Sequence, residues 1–289
     1  MYVYKYFWNG NEKVQSAWSY WDFTGVQIIG GVAIESNIYL VFGTAMHEVI
    51  QTYLDIMYNN SVKNAEKLDL NKMLFDNMCS EFIKAKEQDG KVPCTKEELS
   101  EFLQDGVEIL DFIKTRRNQY FQKRDYELIG CEVPIELKLK KNVGFIGYLD
   151  LVILHKPTNT LKIIDIKTST RGWNKYQKAD KNKTQQLLLY KQFYAEQYNH
   201  PIENIEIEYF IVKRKLWENT DFPQKRVQKF VPANGKPSVN KVINGLNLFL
   251  KNAFDNDGNH KTDKIFALPS KKACRWCEFR KTEHCSEGI

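Results

Sequence analysis

Long uncharged runs are missing from this chain. No window approaches 18 consecutive apolar residues, so no segment is expected to cross a membrane as a helix. The opening stretch, MYVYKYFWNGNEK, lacks the basic segment, apolar core and cleavage site of a secretory leader, and the expectation is a cytoplasmic protein. A Gly-x-x-x-x-Gly-Lys-[Ser/Thr] segment is also absent, so the chain carries no ATP-driven motor of its own. Internal repeats, low-complexity tracts and a convincing linker are missing too. Residues 1–289 are therefore read as a single domain, long enough to bury a substantial core.

What is present fits a globular protein. Hydrophobic residues make up 43% and charged residues 27%, a balance that argues against disorder. The formal net charge of +6 favours polyanionic partners without deciding among them. The six cysteines divide unevenly. Cys79, Cys94 and Cys131 are scattered, whereas Cys274, Cys277 and Cys285 crowd a Cys-rich segment, residues 264–289, in a spacing that suggests metal rather than disulfides.

The first 30 residues are aromatic and Gly-rich without clear periodicity. From Phe42 to about Met57, apolar positions recur at helical spacing. Helical patterns follow over roughly 62–87 and 95–123, the second opening on the capping box Thr95-x-x-Glu98, so that 58–123 reads as a helical insertion or lobe. The pattern then changes to short β-branched runs, YELIGCEVPIELKL, VGFIGYLDLVIL and LKIIDIKT. A basic loop, a helix over about 184–198, the alternating strand IEIEYFIVK and a helix capped by Ser238 and reaching about residue 255 complete the series.

Within LKIIDIKTST, Asp165 and Lys167 share one face of a strand while Ile164 and Ile166 take the other. The preceding run, GYLDLVIL, is separated from it by HKPTNT, a turn signal that joins antiparallel neighbours. Residues whose numbers sum to about 315 then lie opposite, which sets Asp150 against Asp165. Two carboxylates that close repel unless one takes a proton or a cation sits between them. Lys167 supplies part of the positive charge, and hard carboxylate oxygens suit Mg²⁺ or Mn²⁺ for the rest. The plainer alternative is a buried Lys167 salt bridge in a chain that does no chemistry.

Immediately after this strand, RGWNKYQKADKNK holds Arg171, Lys175, Lys178, Lys181 and Lys183 against one acid, with Trp173 and Tyr176 interleaved. Cations bind phosphates and aromatic rings stack on unpaired bases, so these seven residues are candidates for contact with DNA; the alternative is a solvated loop. VKRK, residues 212–215, adds a second basic edge.

Gly147-x-x-Asp150, Asp165-x-Lys167 and Gln186-x-x-x-Tyr190, in this order and spacing, resemble the PD-(D/E)XK nuclease superfamily. Within it they are similar to the RecB-type branch, which includes CRISPR adaptation nucleases and phage exonucleases. The resemblance covers approximately residues 130–215. It implies an α/β, restriction-endonuclease-like fold, a mixed central sheet flanked by helices, with the helical lobe added in the N-terminal half. It also implies a Mg²⁺- or Mn²⁺-dependent deoxyribonuclease, an exonuclease or single-strand-preferring enzyme of recombination, repair or phage DNA metabolism, in a bacterial or infected host cytoplasm, with a helicase or other recombination protein as possible partner. A catalytically silent DNA- or partner-binding module on the same fold is the alternative.

By the same resemblance, Asp150, Asp165 and the Ile166 carbonyl would hold the metal, and Lys167 would orient the attacking water. Gln186 and Tyr190 would position the substrate backbone or the Lys167 network. GTAMHEVI is similar to the branch's histidine motif, which makes His47 a further metal ligand, against the alternative of a histidine at the border of an amphipathic helix. Glu132 sits where related nucleases often carry an acid, and Glu136 could substitute. The branch often has three C-terminal cysteines and one before the histidine motif, together holding a [4Fe–4S] cluster. Here no cysteine precedes His47. A fourth ligand could come from Cys79, Cys94 or Cys131; a zinc site with His284 or a site that has lost its ligand are the other readings.

Overall fold

The computed structural model describes residues 2–9, 12–20, 36–259, 261, 271–275, 280, 281, 286, 288 and 289. The chain forms two compact units: Met1–Ala33 with Ile135–Gly147 and Gly235–Ile289, and Ile34–Pro134 with Tyr148–Asn234.

Near the N-terminus, where no period is evident in the sequence, β1 (Tyr2–Asn9) and β2 (Glu12–Tyr20) pair antiparallel, with Asn9 opposite Glu12. The overlooked signal is the dipeptide Gly10-Asn11 between two aromatic runs, a sequence preferred in two-residue hairpin connections.

Helix α1 (Ile38–Asn59) starts at Asn37, whose side chain accepts from the Tyr39 and Leu40 amides. It is buried along most of its length, from Val41 and Phe42 through Ala45, Met46, Val49, Ile50 and Leu54 to Met57. The helical stretch expected over 62–87 is two helices, α2 (Val62–Glu66) and α3 (Leu70–Asp89), because Asp69 caps a fresh start by accepting from the Lys72 amide. The next stretch also divides, into α4 (Lys96–Thr115) and the short α5 (Arg117–Tyr120). The Thr95–Glu98 capping box opens α4 as expected. Gly106 lets α4 approach closely: a Cβ there would lie 2.4 Å from Leu74 Cδ2 and 3.0 Å from Phe42 Cε2.

Five strands form the central sheet, ordered β3 (Tyr126–Lys140), β4 (Val143–His155), β5 (Thr160–Ser169), β6 (Ile205–Lys213) and β7 (Val227–Phe230). Strands β4 and β5 are antiparallel with Leu151 opposite Ile164, the pairing expected from the turn. A 3₁₀ turn over Lys156–Thr158 and Asn159 in the left-handed conformation (φ 50°) make that connection. Strands β5 and β6 are parallel, and the crossover between them carries α6 (Lys175–Ala179) and α7 (Lys181–Gln197). The expected basic loop is thus partly helical: Asn174 caps α6 and forms a capping box with Gln177. Flanked by strands on both edges, β5 is buried almost continuously from Leu161 to Ile166. The sheet is mixed, with helices against it, as the resemblance implied.

Helix α8 (Lys236–Ala253) is capped by Gly235, three residues before the expected Ser238 cap, because Pro237 fits the first turn, where no amide partner is needed. Among the described residues the last helix is the short α9 (Lys271–Cys274). Among the described residues no helix is long and apolar enough to cross a membrane.

Candidate active site

Helix α1 contributes His47 and Gln51, one turn apart and therefore on one face. Gln51 is buried and its Nε2 donates twice, to Glu132 Oε1 (2.6 Å) and to the Asp150 carbonyl (3.0 Å). This amide joins the helix to β3 and β4, and sequence reasoning gave it no role beyond sharing a face with His47. Glu132 itself has φ +49°, a conformation that few side chains adopt. The burial pattern of β3 changes parity there, from Leu128 to Val133, as a bulge does, and the carboxylate is exposed beside Asp150.

The register of Leu151 with Ile164, continued by one step, brings Asp150 level with Asp165. Asp150 Oδ2 accepts from the Ile166 amide at 2.6 Å and lies 3.6 Å from His47 Nδ1. Lys167 Nζ stands 2.8 Å from Asp165 Oδ2 and donates to Gln186 Oε1 at 3.4 Å; Gln186 Nε2 in turn donates to the Tyr190 hydroxyl at 3.1 Å. The structure thus gathers His47, Asp150, Asp165, Lys167, Gln186 and Tyr190, with Glu132 alongside, from five elements: α1, β3, β4, β5 and α7.

The electrostatics of this cluster are set by burial and by the two carboxylates' mutual repulsion. Burial, then the Asp165 charge, pushes the Asp150 carboxyl well above the ordinary carboxylate range. Burial likewise raises Asp165, against the opposing pull of Lys167. For Lys167, burial works against the charge, but Asp165 and Asp150 together hold its pKa above the usual lysine range. His47 is held down to about 4, first by burial and then by Lys167, so its imidazole is neutral at pH 7 and its contact with Asp150 is not an ion pair.

The donors fit a hard divalent ion. Asp165 is only 2% exposed, and its Oδ2 is met by the Lys167 ammonium at 2.8 Å. That one ammonium faces two buried carboxyls, both raised above the ordinary carboxylate range, so a second positive charge between them would be stabilised. Two carboxylates, a neutral imidazole and the Ile166 carbonyl are the available donors. Among the described residues, no three His, Cys, Asp or Glu side chains already form a metal cage.

The basic stretch divides. Arg171, Lys175, Tyr176, Lys181 and Lys183 are exposed, Tyr176 to 73%, and Lys178 is partly so. Trp173 is a correction: it is 8% exposed, with its ring packed 4.8 Å from Tyr209 and 6.0 Å from Phe230, so it is a core residue and cannot stack on a base. Trp and its cationic neighbours look alike in sequence whether the ring faces water or the sheet. Of the cysteine cluster, Cys274 is buried at the end of α9, while Cys277 and Cys285 lie outside the described residues, as does His284. Cys131 faces the Gln51 carbonyl (3.7 Å), and burial pushes its thiol up to about 12.

No curated protein matches the chain. The family model of the PD-(D/E)XK nuclease superfamily, however, matches residues 27–282, which encloses every residue of the cluster. An acid on one strand and Asp-x-Lys on its neighbour occupy the centre of that match, and the chain belongs to the PD-(D/E)XK nuclease superfamily, whose members are in general metal-dependent nucleases using Mg²⁺ or Mn²⁺.

Proposed function

We propose that this chain hydrolyses DNA phosphodiester bonds at the Asp150–Asp165–Lys167 cluster, as a RecB-type exonuclease or single-strand-preferring nuclease of recombination, repair or phage DNA metabolism. The observation that carries this reading is the buried acidic pair of Asp150 and Asp165, both carboxyls raised, with the single ammonium of Lys167 2.8 Å from Asp165. Asp150, Asp165, the Ile166 carbonyl and His47 are the residues to hold Mg²⁺ or Mn²⁺, with Glu132 as a further carboxylate at the rim. A bound divalent ion supplies an acidified water and polarises phosphoryl oxygens. Lys167 then places a fixed positive charge where negative charge develops on the phosphate, and Gln186, backed by Tyr190, holds that ammonium in position.

The substrate track in this reading is the basic rim of Arg171, Lys175, Lys178, Lys181 and Lys183. We take residues 1–289 as one nuclease domain with 58–123 as its helical lobe, working with a helicase or recombination partner. Cys274, Cys277 and Cys285 are kept as ligands of a [4Fe–4S] cluster; protein purified without oxygen would then be brown and carry about four irons per chain. One zinc per chain, or no metal, would replace that assignment.

The test is incubation with end-labelled single- and double-stranded DNA, linear and circular, in Mg²⁺, Mn²⁺ or EDTA. Metal-dependent cleavage by the wild type and none by Asp165→Ala supports the reading. Binding without cleavage in every metal would select a catalytically silent module on the same fold.

A further inference from the structure

The second basic edge, after β6, carries a feature that the sequence reading did not use. Arg214 and Lys215 donate their amides to the Ser169 and Thr170 carbonyls, so the chain leaving β6 is zipped to the chain leaving β5. The loop that follows then returns to β7, and its base is closed by the Lys213 amide on the Arg226 carbonyl and by Arg226 Nη1 on the Arg214 carbonyl. Within the loop, Gln224 grips Trp217 from both sides: its Oε1 accepts from the Trp217 amide at 2.8 Å, and its Nε2 donates to the Trp217 carbonyl and to Thr220 Oγ1 (2.7 Å). The backbone of Trp217 is therefore fixed, while its indole is 57% exposed.

Arg171 lies over that indole, its guanidinium carbon 4.2 Å from the ring centroid. Arg171 is only four residues past Lys167, a reach of at most roughly 13 Å along extended chain. Both strand ends belong to the parallel β5–β6 pair, and open α/β sheets bind their ligands outside the carboxyl ends of such strands. An exposed indole, held from behind by side-chain bonds to its own backbone and bearing a cation, offers a flat surface for a base and a charge for its phosphate.

We propose that Trp217, with Arg171 stacked on it, is the platform on which an unpaired base of single-stranded DNA rests while the adjoining backbone reaches the Asp150–Asp165–Lys167 cluster. This assignment rests on the nuclease reading and gives it a substrate class. It moves the stacking role from the buried Trp173 to Trp217. Positive charge beside the platform comes from Arg171 and Lys175 on the segment leaving β5 and Lys213 at the end of β6, whereas Lys215 is taken up by Glu101 and Asp105 and Arg226 by Glu108.

The experiment is fluorescence anisotropy of a labelled single-stranded oligonucleotide in EDTA, with the full chain, comparing wild type with Trp217→Ala, Trp217→Phe and Arg171→Ala. A second probe of equal length carries abasic sugars throughout. Stacking on one aromatic ring is worth about 1–3 kcal/mol per base, so Trp217→Ala should weaken binding roughly five-fold or more, with Trp217→Phe recovering most of it. On the abasic probe wild type and Trp217→Ala should bind equally, and Arg171→Ala should weaken both probes. Equal affinity of wild type and Trp217→Ala for the normal oligonucleotide, or an equal loss on the abasic probe, overturns the platform. Cleavage lost in Asp165→Ala would still stand in that case, so the two failures are distinguishable; a wild type that binds neither probe brings down both. Thermal unfolding of each variant confirms that the loop change has not unfolded the protein.

Discussion

Asp150 and Asp165 occupy positions where an ionised carboxylate is disfavoured, and that is where residue-scale predictions are sharpest. Asp165→Ala should lower metal-supported cleavage by about two orders of magnitude or more while leaving DNA binding in EDTA close to wild type, which cleavage and anisotropy assays on one preparation would show. Asp150→Asn should do the same to cleavage but stabilise the fold. The folded Asp150 carboxyl holds its proton above its ordinary value of 3.8, so the folded wild type is penalised as pH rises through that value toward neutrality. The asparagine variant escapes the penalty and keeps an oxygen for the Ile166 amide. In EDTA at neutral pH its Tm should therefore exceed wild type by about 2–4 °C, the effect of a kcal/mol in a chain of this length, and the gap should close as pH falls toward 3.8. A lower Tm would show that the charge is compensated. The acidic pair and Lys167 were legible because strand alternation and one turn determine who faces whom. Gln51 and the bulge at Glu132 were not, since nothing in local sequence reveals a φ of +49° or an amide spanning three elements.

At the scale of elements, the approach of α4 to α1 and α3 depends on Gly106. A methyl group there would meet Leu74, Phe42 and Met46 in a packed core, an overpacking that costs about 1–3 kcal/mol and exceeds the gain of at most about 1 kcal/mol from replacing glycine in a helix. Gly106→Ala should lower Tm in a thermal melt, whereas an unchanged Tm would mean that the helices move apart freely. Strands β3 to β6 and helix α4 were readable because β-branched runs and a capping box are strong local signals. The divisions at Asp69 and Arg116, the α6 turn and the start of α8 depend on caps and a proline whose fit emerges only in the folded backbone. The N-terminal hairpin was missed because aromatic residues on a short pair leave no simple alternation.

The whole molecule carries a modest net positive charge, and the stretch just after β5 exposes Arg171, Lys175, Lys181 and Lys183 close together in sequence. Replacing Lys175, Lys178 and Lys181 together by glutamine should weaken single-stranded DNA binding and reduce the slope of log affinity against log salt by about two, since each phosphate contact releases about 0.7 counterion. An unreduced slope, measured by anisotropy at several salt concentrations, would remove this stretch from the binding track. The assembly of the centre has a further consequence. Its first and last side chains, His47 and Tyr190, come from segments separated by about half of the polypeptide. A ribosome that has finished α1 and β4 has made one acid and an imidazole but not the Asp165–Lys167 strand that answers them. On the proposed reading, a nascent or prematurely terminated chain that stops short of β5 could not cut DNA, and that capacity would arrive only with the central strand of the sheet.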